Sequence, residues 1–169
     1  GASIINDISA GDFDASMIPL VASRKVPYIM MHILGTPATM QINPHYNDVV
    51  TDIIDYFKHR IEVCNRYGLD SLILDPGFGF GKTLKHNYTL LSHLSSFIKL
   101  GYPVLVGVSR KAMIYKLLNV QPEEALFGTV VANALALLNG AHIIRVHDVK
   151  PTIQAIKILD EYKDSLTNP

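Results

Sequence analysis

Five short apolar runs constrain this chain most: Ser3-Ile4-Ile5, Tyr28-Ile29-Met30-Met31, Leu72-Ile73-Leu74, Val104-Leu105-Val106, and His142-Ile143-Ile144 continuing into Arg145-Val146. Each has the length of a strand and is apolar on both alternating faces, the pattern of strands covered on two sides in a parallel sheet. Each leads into a helix-like segment. Asp48 to Tyr67 spaces Val50, Ile53, Ile54, Phe57, Ile61 and Cys64 along one helical face and stops at Gly68. Asn87 to Leu100 does the same with Leu90, Leu91, Leu94, Phe97 and Ile98 and stops at Gly101. Glu123 to Asn139 and Thr152 to Asp164 read likewise, and a first helix tolerates Pro19 if Ser16 caps it.

Strand followed by helix, five times over, fits either an open doubly wound sheet or a closed (β/α)8 barrel. The polar residues discriminate. They fall at the same end of every strand: Asn6-Asp7, His32, Asp75, Ser109-Arg110-Lys111, and Arg145 with His147 and Asp148. A barrel gathers all its strand ends at one mouth, whereas an open sheet builds its site at one crevice, so the pattern favours the TIM barrel. Eight units take roughly 250 residues, about 31 each, and five consume this chain. The expectation is one partial domain, residues 1–169, holding the last five βα units, with three N-terminal units upstream of Gly1. Those five units alone, with two open sheet edges, are expected to be insoluble or molten.

Composition narrows the partners. Lys+Arg at 15 balance Asp+Glu at 15, so there is no electrostatic footprint for nucleic acid or an anionic membrane. With 49% hydrophobic and 18% charged residues the chain suits one globular core. Cys64 is the only cysteine, which excludes an intrachain disulfide or a Cys-rich metal site, and the histidines show no HExxH spacing. Ala125 to Ile144 carries no charged side chain over about the length of a membrane span. Asn133, Asn139, Gly140 and His142 interrupt it, so it reads as a buried helix feeding a buried strand.

Asp75-Pro76-Gly77-Phe78-Gly79-Phe80-Gly81-Lys82-Thr83 is the most conspicuous motif. It misses the phosphate-loop spacing by one residue and places Lys82 where a Rossmann fingerprint needs its third glycine. A structural Gly-rich turn is the plain alternative. Against it stands Asp75, a carboxylate ending an apolar strand, whose burial requires donors such as two parallel N–H groups of a ligand. Arg145 and His147 alternate along a strand and so share one side, suiting an oxyanion or phosphate. Asn6 carries a donor and an acceptor useful for reading a heterocycle edge, although strand-end Asn also caps turns. His32 is equally suited to anchoring a loop, and His45, His59, His86 and His93 read as surface or packing residues.

Together, Ile5-Asn6-Asp7-Ile8-Ser9, Met31-His32 through Gly35-Thr36-Pro37-Ala38-Thr39-Met40, Asp75 to Lys82, Gly107-Val108-Ser109-Arg110-Lys111 and Arg145-Val146-His147-Asp148-Val149 resemble the dihydropteroate synthase family. The resemblance covers essentially the whole chain in order. It implies a cytoplasmic, Mg2+-using (β/α)8 transferase of folate biosynthesis, often a homodimer. Such an enzyme joins a dihydropterin methyl diphosphate to 4-aminobenzoate, and sulfonamides occupy the aminobenzoate site. It implies that Asn6, Asp75 and Lys111 bind the pterin edge, with Met31 and Gly107 lining the slot. Phe80 becomes the wall against the aminobenzoate ring, Ser109 a contact near its carboxylate, and Arg145 and His147 the diphosphate anchors; Lys111, Arg145 and His147 are the catalytic candidates. The family's first strand with its Mg2+-holding Asn, its Ser-Thr-Arg-Pro-Gly loop and the Asp of its third strand have no counterpart here. No metal ligand is therefore expected within this chain. Two other readings compete: a pterin-binding barrel that transfers a methyl group from a folate to a corrinoid, and a non-catalytic pterin-binding fragment. The first has no use for a diphosphate site, and the second needs no upstream residues.

Overall fold

The computed structural model describes residues 1–167. Its elements follow one another as β1 (Ile5–Asp7), α1 (Met17–Arg24), β2 (Tyr28–Met31), α2 (Val49–Arg66), β3 (Leu72–Asp75), α3 (Leu84–Ser92), α4 (Leu94–Ile98), β4 (Leu105–Val106), α5 (Ala112–Leu118), a 3-10 turn (Pro122–Glu124), α6 (Leu126–Leu138), β5 (Ile143–Ile144) and α7 (Val149–Thr167). β1, β2 and β3 form one parallel sheet, and β4 pairs in parallel with β5. A parallel bridge between Leu74 and Val104 joins the two groups, so the strands are ordered in space as in sequence.

This α/β sheet is strongly curled. Arg145, just past β5, donates to Asn6 in β1, with Nη1 3.1 Å from Oδ1. In a flat sheet those strands lie four spacings apart, about 19 Å, beyond any arginine's reach. The strands instead wrap around a common interior.

Register shows which face meets the helices. Tyr28, Met30, Leu72, Leu74, Val104 and Val106 point outward and are all buried. They pack with Ile53, Phe57 and Cys64 of α2, Leu90 of α3 and Leu94 and Phe97 of α4. The Phe57 and Phe97 rings meet edge to face at 6.2 Å. Burying each such side chain contributes about 1.5–3 kcal/mol, which makes this sheet–helix layer the main stabilising element. The inner face differs from the expectation of cover on both sides: Ile29 and Ile73 are half-buried and Ile143 is exposed.

Several helix ends differ from the periodicity reading, each for a local reason. The helix expected over 87–100 starts earlier, at Leu84, because Thr83 Oγ1 accepts from His86 N while His86 Nδ1 accepts from Thr83 N. This is a capping box with histidine in the usual Glu or Gln place. It then divides at His93, whose backbone leaves the helical region and whose ring Nδ1 sits 2.8 Å from the Thr89 carbonyl. The helix expected from Glu123 begins as a 3-10 turn, with Glu124 accepting from Gln121 N. Ser16 does not cap α1; its hydroxyl donates to Asp14, and Pro19 is tolerated as the helix's third residue, where no N–H partner exists. α6 is not fully buried. Thr129, Ala132, Asn133 and Ala136 face inward, but Phe127, Val131, Leu135 and Leu138 form an exposed stripe. Among the described residues no helix is long and apolar enough to cross a membrane.

Candidate active site

Alternation along the strands sorts the polar residues into two groups. Asn6 pairs in register with Ile29 and projects inward; Asp7 pairs with Met30 and projects outward. Asp7 is buried between sheet and helices, accepting from Tyr28 Oη at 2.6 Å, Ser9 N and Oγ at 2.9 Å, and Gly11 N at 2.6 Å. Burial works to raise its pKa, and these donors together outweigh burial and hold it below the ordinary carboxylate value. It shapes the loop after β1 and is separate from the interior. Met31 and Asp75 are register partners on the inner face, 1% exposed each.

Asp75 is satisfied from two directions. Oδ1 accepts from Gly77 N at 2.9 Å, and Oδ2 accepts from Arg145 Nη2 at 2.8 Å. The backbone of Gly77 is left-handed, φ +71°, and a Cβ there would lie 1.9 Å from the His32 carbonyl oxygen, so only glycine lets the loop fold back onto its own carboxylate. Gly107 makes room in a similar way. A Cβ there would meet Arg145 Nη2 at 2.9 Å, and its absence lets the guanidinium lie across the strand ends.

A cavity of about 170 Å³ opens beside Arg145, lined by Gly107, Ser109, Lys111, Arg145, Val146 and His147. Ser109 Oγ accepts from His147 N at 3.2 Å and lies 3.0 Å from His147 Nδ1. A hydroxyl that accepts from the backbone can give its own proton to Nδ1, which leaves the ring N–H on Nε2. The intervening Arg110 is not part of this cavity. With φ +53° it turns away to make a bidentate pair with Asp148, at 2.8 and 2.9 Å, tying the loop after β4 to the start of α7. That pair holds the Asp148 carboxyl below its usual pKa.

Lys111 donates to the Phe78 carbonyl at 2.5 Å and sits 4.8 Å from the centre of the Phe80 ring. Burial lowers its pKa to about 8, against the opposing pull of Asp75, with Arg145 adding to the lowering. Phe78 is wholly buried and Phe80 half-buried, so the glycine-rich loop anchors one aromatic ring and presents the other. Beneath the loop lies a pair on which the motif alone is silent. Lys82 Nζ is 3.0 Å from His32 Nδ1 and donates to the Phe80 carbonyl at 2.9 Å. Burial, then the Lys82 charge, push His32 down to about 2, so its ring is neutral and accepts. Only the Gly-rich context pointed to Lys82; its burial is a tertiary property.

The structure thus brings Asn6, Met31, Asp75, Gly107, Ser109, Lys111, Arg145 and His147 to one inner surface, with Phe80 at its rim. The arrangement places polar edge groups beside a cationic cradle. Among the described residues no group of three His, Cys, Asp or Glu side chains could hold a metal ion, and Asn6 Oδ1 and Asp75 are already engaged by Arg145.

A profile of the family described as pterin binding enzyme matches residues 1–147. The dihydropteroate synthase of Escherichia coli strain K12 is 46% identical over 162 residues, spanning 95% of this chain and 57% of that protein. The Yersinia pestis dihydropteroate synthase crystallised with a sulfonamide drug superimposes with a TM-score of 0.94 at 44% identity, over 98% of this chain and 61% of that one. The Xanthomonas albilineans dihydropteroate synthase in complex with 7,8-dihydropteroate gives 0.88 at 39% identity, over 96% and 60%. The chain spans about half the length of the curated relatives it matches.

Proposed function

Because the chain belongs to the pterin-binding enzyme family, we propose that the protein is a dihydropteroate synthase, condensing 7,8-dihydropterin-6-ylmethyl diphosphate with 4-aminobenzoate. The products are 7,8-dihydropteroate and diphosphate, a step of folate biosynthesis. One observation carries the reading: Arg145 joins the edge-reading residues Asn6 and Asp75 to the cavity of Ser109, Lys111 and His147. A polar heterocycle bearing a diphosphate has this pairing of demands. Methyl transfer from a folate to a corrinoid has no use for the cationic half, and a non-catalytic pterin binder needs none of it.

In this reading Asn6, Asp75 and Lys111 take the pterin edge, Met31 and Gly107 line its slot, and Phe80 walls the aminobenzoate ring. Ser109 lies toward the aminobenzoate carboxylate and aims His147. The methylene C–O bond breaks with its electron pair going to diphosphate, whose charge Arg145 and His147 offset. The neutral aromatic amine then forms the C–N bond and gives its proton to water. No nucleophilic side chain or strong base is needed; the protein positions the amine, and Phe80 excludes the water that would trap the methylene cation. The described residues fit no Mg2+ site, so the ion enters the proposal only as a companion of the diphosphate.

The curled, sequentially ordered parallel sheet supports a (β/α)8 barrel to which this chain contributes five units. The exposed apolar stripe of α6 supports a homodimer, and the reading places the enzyme in the cytoplasm. The test is product formation: the natural full-length polypeptide supplied with both substrates and Mg2+ should yield dihydropteroate and diphosphate, with a sulfonamide competing against aminobenzoate. Methyl transfer to a corrinoid instead, or pterin binding without turnover, overturns the reading.

A further inference from the structure

Four consecutive carbonyls of the glycine-rich loop are each held by a side chain, three of them from elsewhere in the chain and one from Lys82 at the loop's own end. Phe78 O accepts from Lys111 Nζ at 2.5 Å, Gly79 O from Gln41 Nε2 at 2.6 Å, Phe80 O from Lys82 Nζ at 2.9 Å and Gly81 O from Tyr46 Oη at 2.9 Å. A loop whose glycines 77, 79 and 81 all have positive φ is free to take other shapes, and these bonds select one. Gln41 and Tyr46 belong to the segment between β2 and α2, so two successive βα loops are locked together.

Lys82 is the centre of this clamp. It is 3% exposed and donates to both His32 Nδ1 and the Phe80 carbonyl, and neither of these partners is a carboxylate. Burying an ammonium on neutral partners is costly, which lowers its pKa to about 7 even with Asp75 pulling the other way. Lys82 holds the backbone of the very residue that presents the aromatic wall, through a bond that an apolar residue of the same length would not make.

We propose that Lys82, with Gln41 beside it, is a positioning residue that sets the pose of Phe80, and so the protein's grip on 4-aminobenzoate, without touching either substrate. This rests on the synthase reading above. Lys82 fixes the Phe80 carbonyl from below, Gln41 fixes the preceding carbonyl from outside, and the ring direction follows from the peptide plane between them. Of the pterin edge groups, Asn6 and Asp75 stand on strands and make no hydrogen bond to Lys82 or Gln41, and Lys111 keeps its own carbonyl, Phe78, when either of those two is replaced.

The experiment uses the natural full-length polypeptide and two variants, Lys82→Met and Gln41→Ala. Lys82→Met keeps length and removes the donor, and Gln41→Ala removes an exposed side chain whose loss leaves the core intact. Both should raise KM for 4-aminobenzoate, Lys82→Met by about tenfold or more and Gln41→Ala by about threefold, while kcat at saturation and the calorimetric Kd for a pterin lacking diphosphate stay within about twofold. A purely structural role would move all three together. Should Lys82→Met fail to fold, Gln41→Ala alone decides. An unchanged KM for aminobenzoate in every folded variant, or a parallel loss of pterin affinity, overturns the clamp and leaves the synthase reading standing. A wild-type protein that forms no dihydropteroate overturns both.

Discussion

Arg145 Nη2 lies 2.8 Å from Asp75 Oδ2, closing a side-chain link between the ends of β5 and β3. The two partners are unequally placed: Asp75 is 1% exposed, whereas the arginine side chain is 43% exposed. The carboxylate is fixed by its strand and by Gly77 N, so the exposed guanidinium is the partner with room to move. On the proposed synthase reading, a pterin presenting two N–H groups to Asp75 would take the arginine's place there and free it for the neighbouring cavity, where a leaving diphosphate needs positive charge.

Arg145→Ala should accordingly separate two affinities. Free diphosphate should bind at least about tenfold more weakly, while a pterin lacking diphosphate should bind within about twofold of wild type or tighter, because no arginine has to be displaced. Titration calorimetry with the two ligands measures both. Equal losses would mean that Arg145 supports the fold and not the phosphates.

Asp75→Asn places an amide where two ligand donors require acceptors. Pterin affinity should fall by roughly 2–4 kcal/mol, the scale of leaving buried polar groups unpaired at a recognition site. Unchanged affinity in the same calorimetric assay removes Asp75 from the slot.

The convergence of polar strand ends was legible because period-two alternation and parallel order together determine which residues share an interior. Arg145 and His147 needed nothing more, Asp75 stood out as a carboxylate ending an apolar strand, and Asn6 entered the site through the family resemblance. Asp7 shows the limit of that reasoning: adjacent to Asn6 in sequence, it belongs to the opposite face and serves a different purpose, decided by register with Met30. Arg110 is similar, for a left-handed backbone at one residue turns a cation that looked available into the partner of Asp148. Lys82 and His32 were least legible, since fifty positions separate two residues whose roles come from burial against each other. Periodicity missed the His86 capping box and the break at His93 because both depend on ring nitrogens meeting backbone groups.

Lys111 gives the site a pH dependence with a definite sign. Its folded pKa is lowered from 10.5 to about 8, so it loses charge in the native protein while still charged in the unfolded chain. Between those values the unfolded state binds more protons, and this group makes stability rise with pH. Ligand binding runs the other way. Affinity for a pterin lacking diphosphate should decline as pH rises through about 8, and Lys111→Arg, charged throughout, should flatten that decline. A flat wild-type profile between about pH 7 and 9 would remove Lys111 from the pterin edge.

Asp7→Asn tests the sheet–helix layer without touching the interior. Because the folded carboxyl lies below its ordinary value of 3.8, its stabilisation is fully present above that pH and fades as acid protonates it. The variant should lose roughly 2–3 kcal/mol at neutral pH through weakened bonds from Tyr28, Ser9 and Gly11. Denaturant titrations should show the gap to wild type closing as pH falls below about 4. A gap independent of pH would assign the loss to packing.

The stripe on α6 carries the homodimer expectation. Phe127 is 83% exposed, and Val131, Leu135 and Leu138 continue it along one helical face. The opposite face, with Thr129 and Asn133, is buried against the rest of the fold, so the helix is already seated and the stripe has no cover among the described residues. Contiguous exposed apolar surface of this kind marks an interaction site, and a two-fold arrangement that sets two such helices together covers both copies with one patch. Phe127→Asp places a charge at the most exposed point of the stripe, where the folded protomer has no contact to lose. Sedimentation velocity should show a dimer for the wild-type protein and a monomer for the variant, with the thermal midpoint of the diluted wild type approaching that of the variant. A variant that sediments as the wild type does would place the dimer contact on another face.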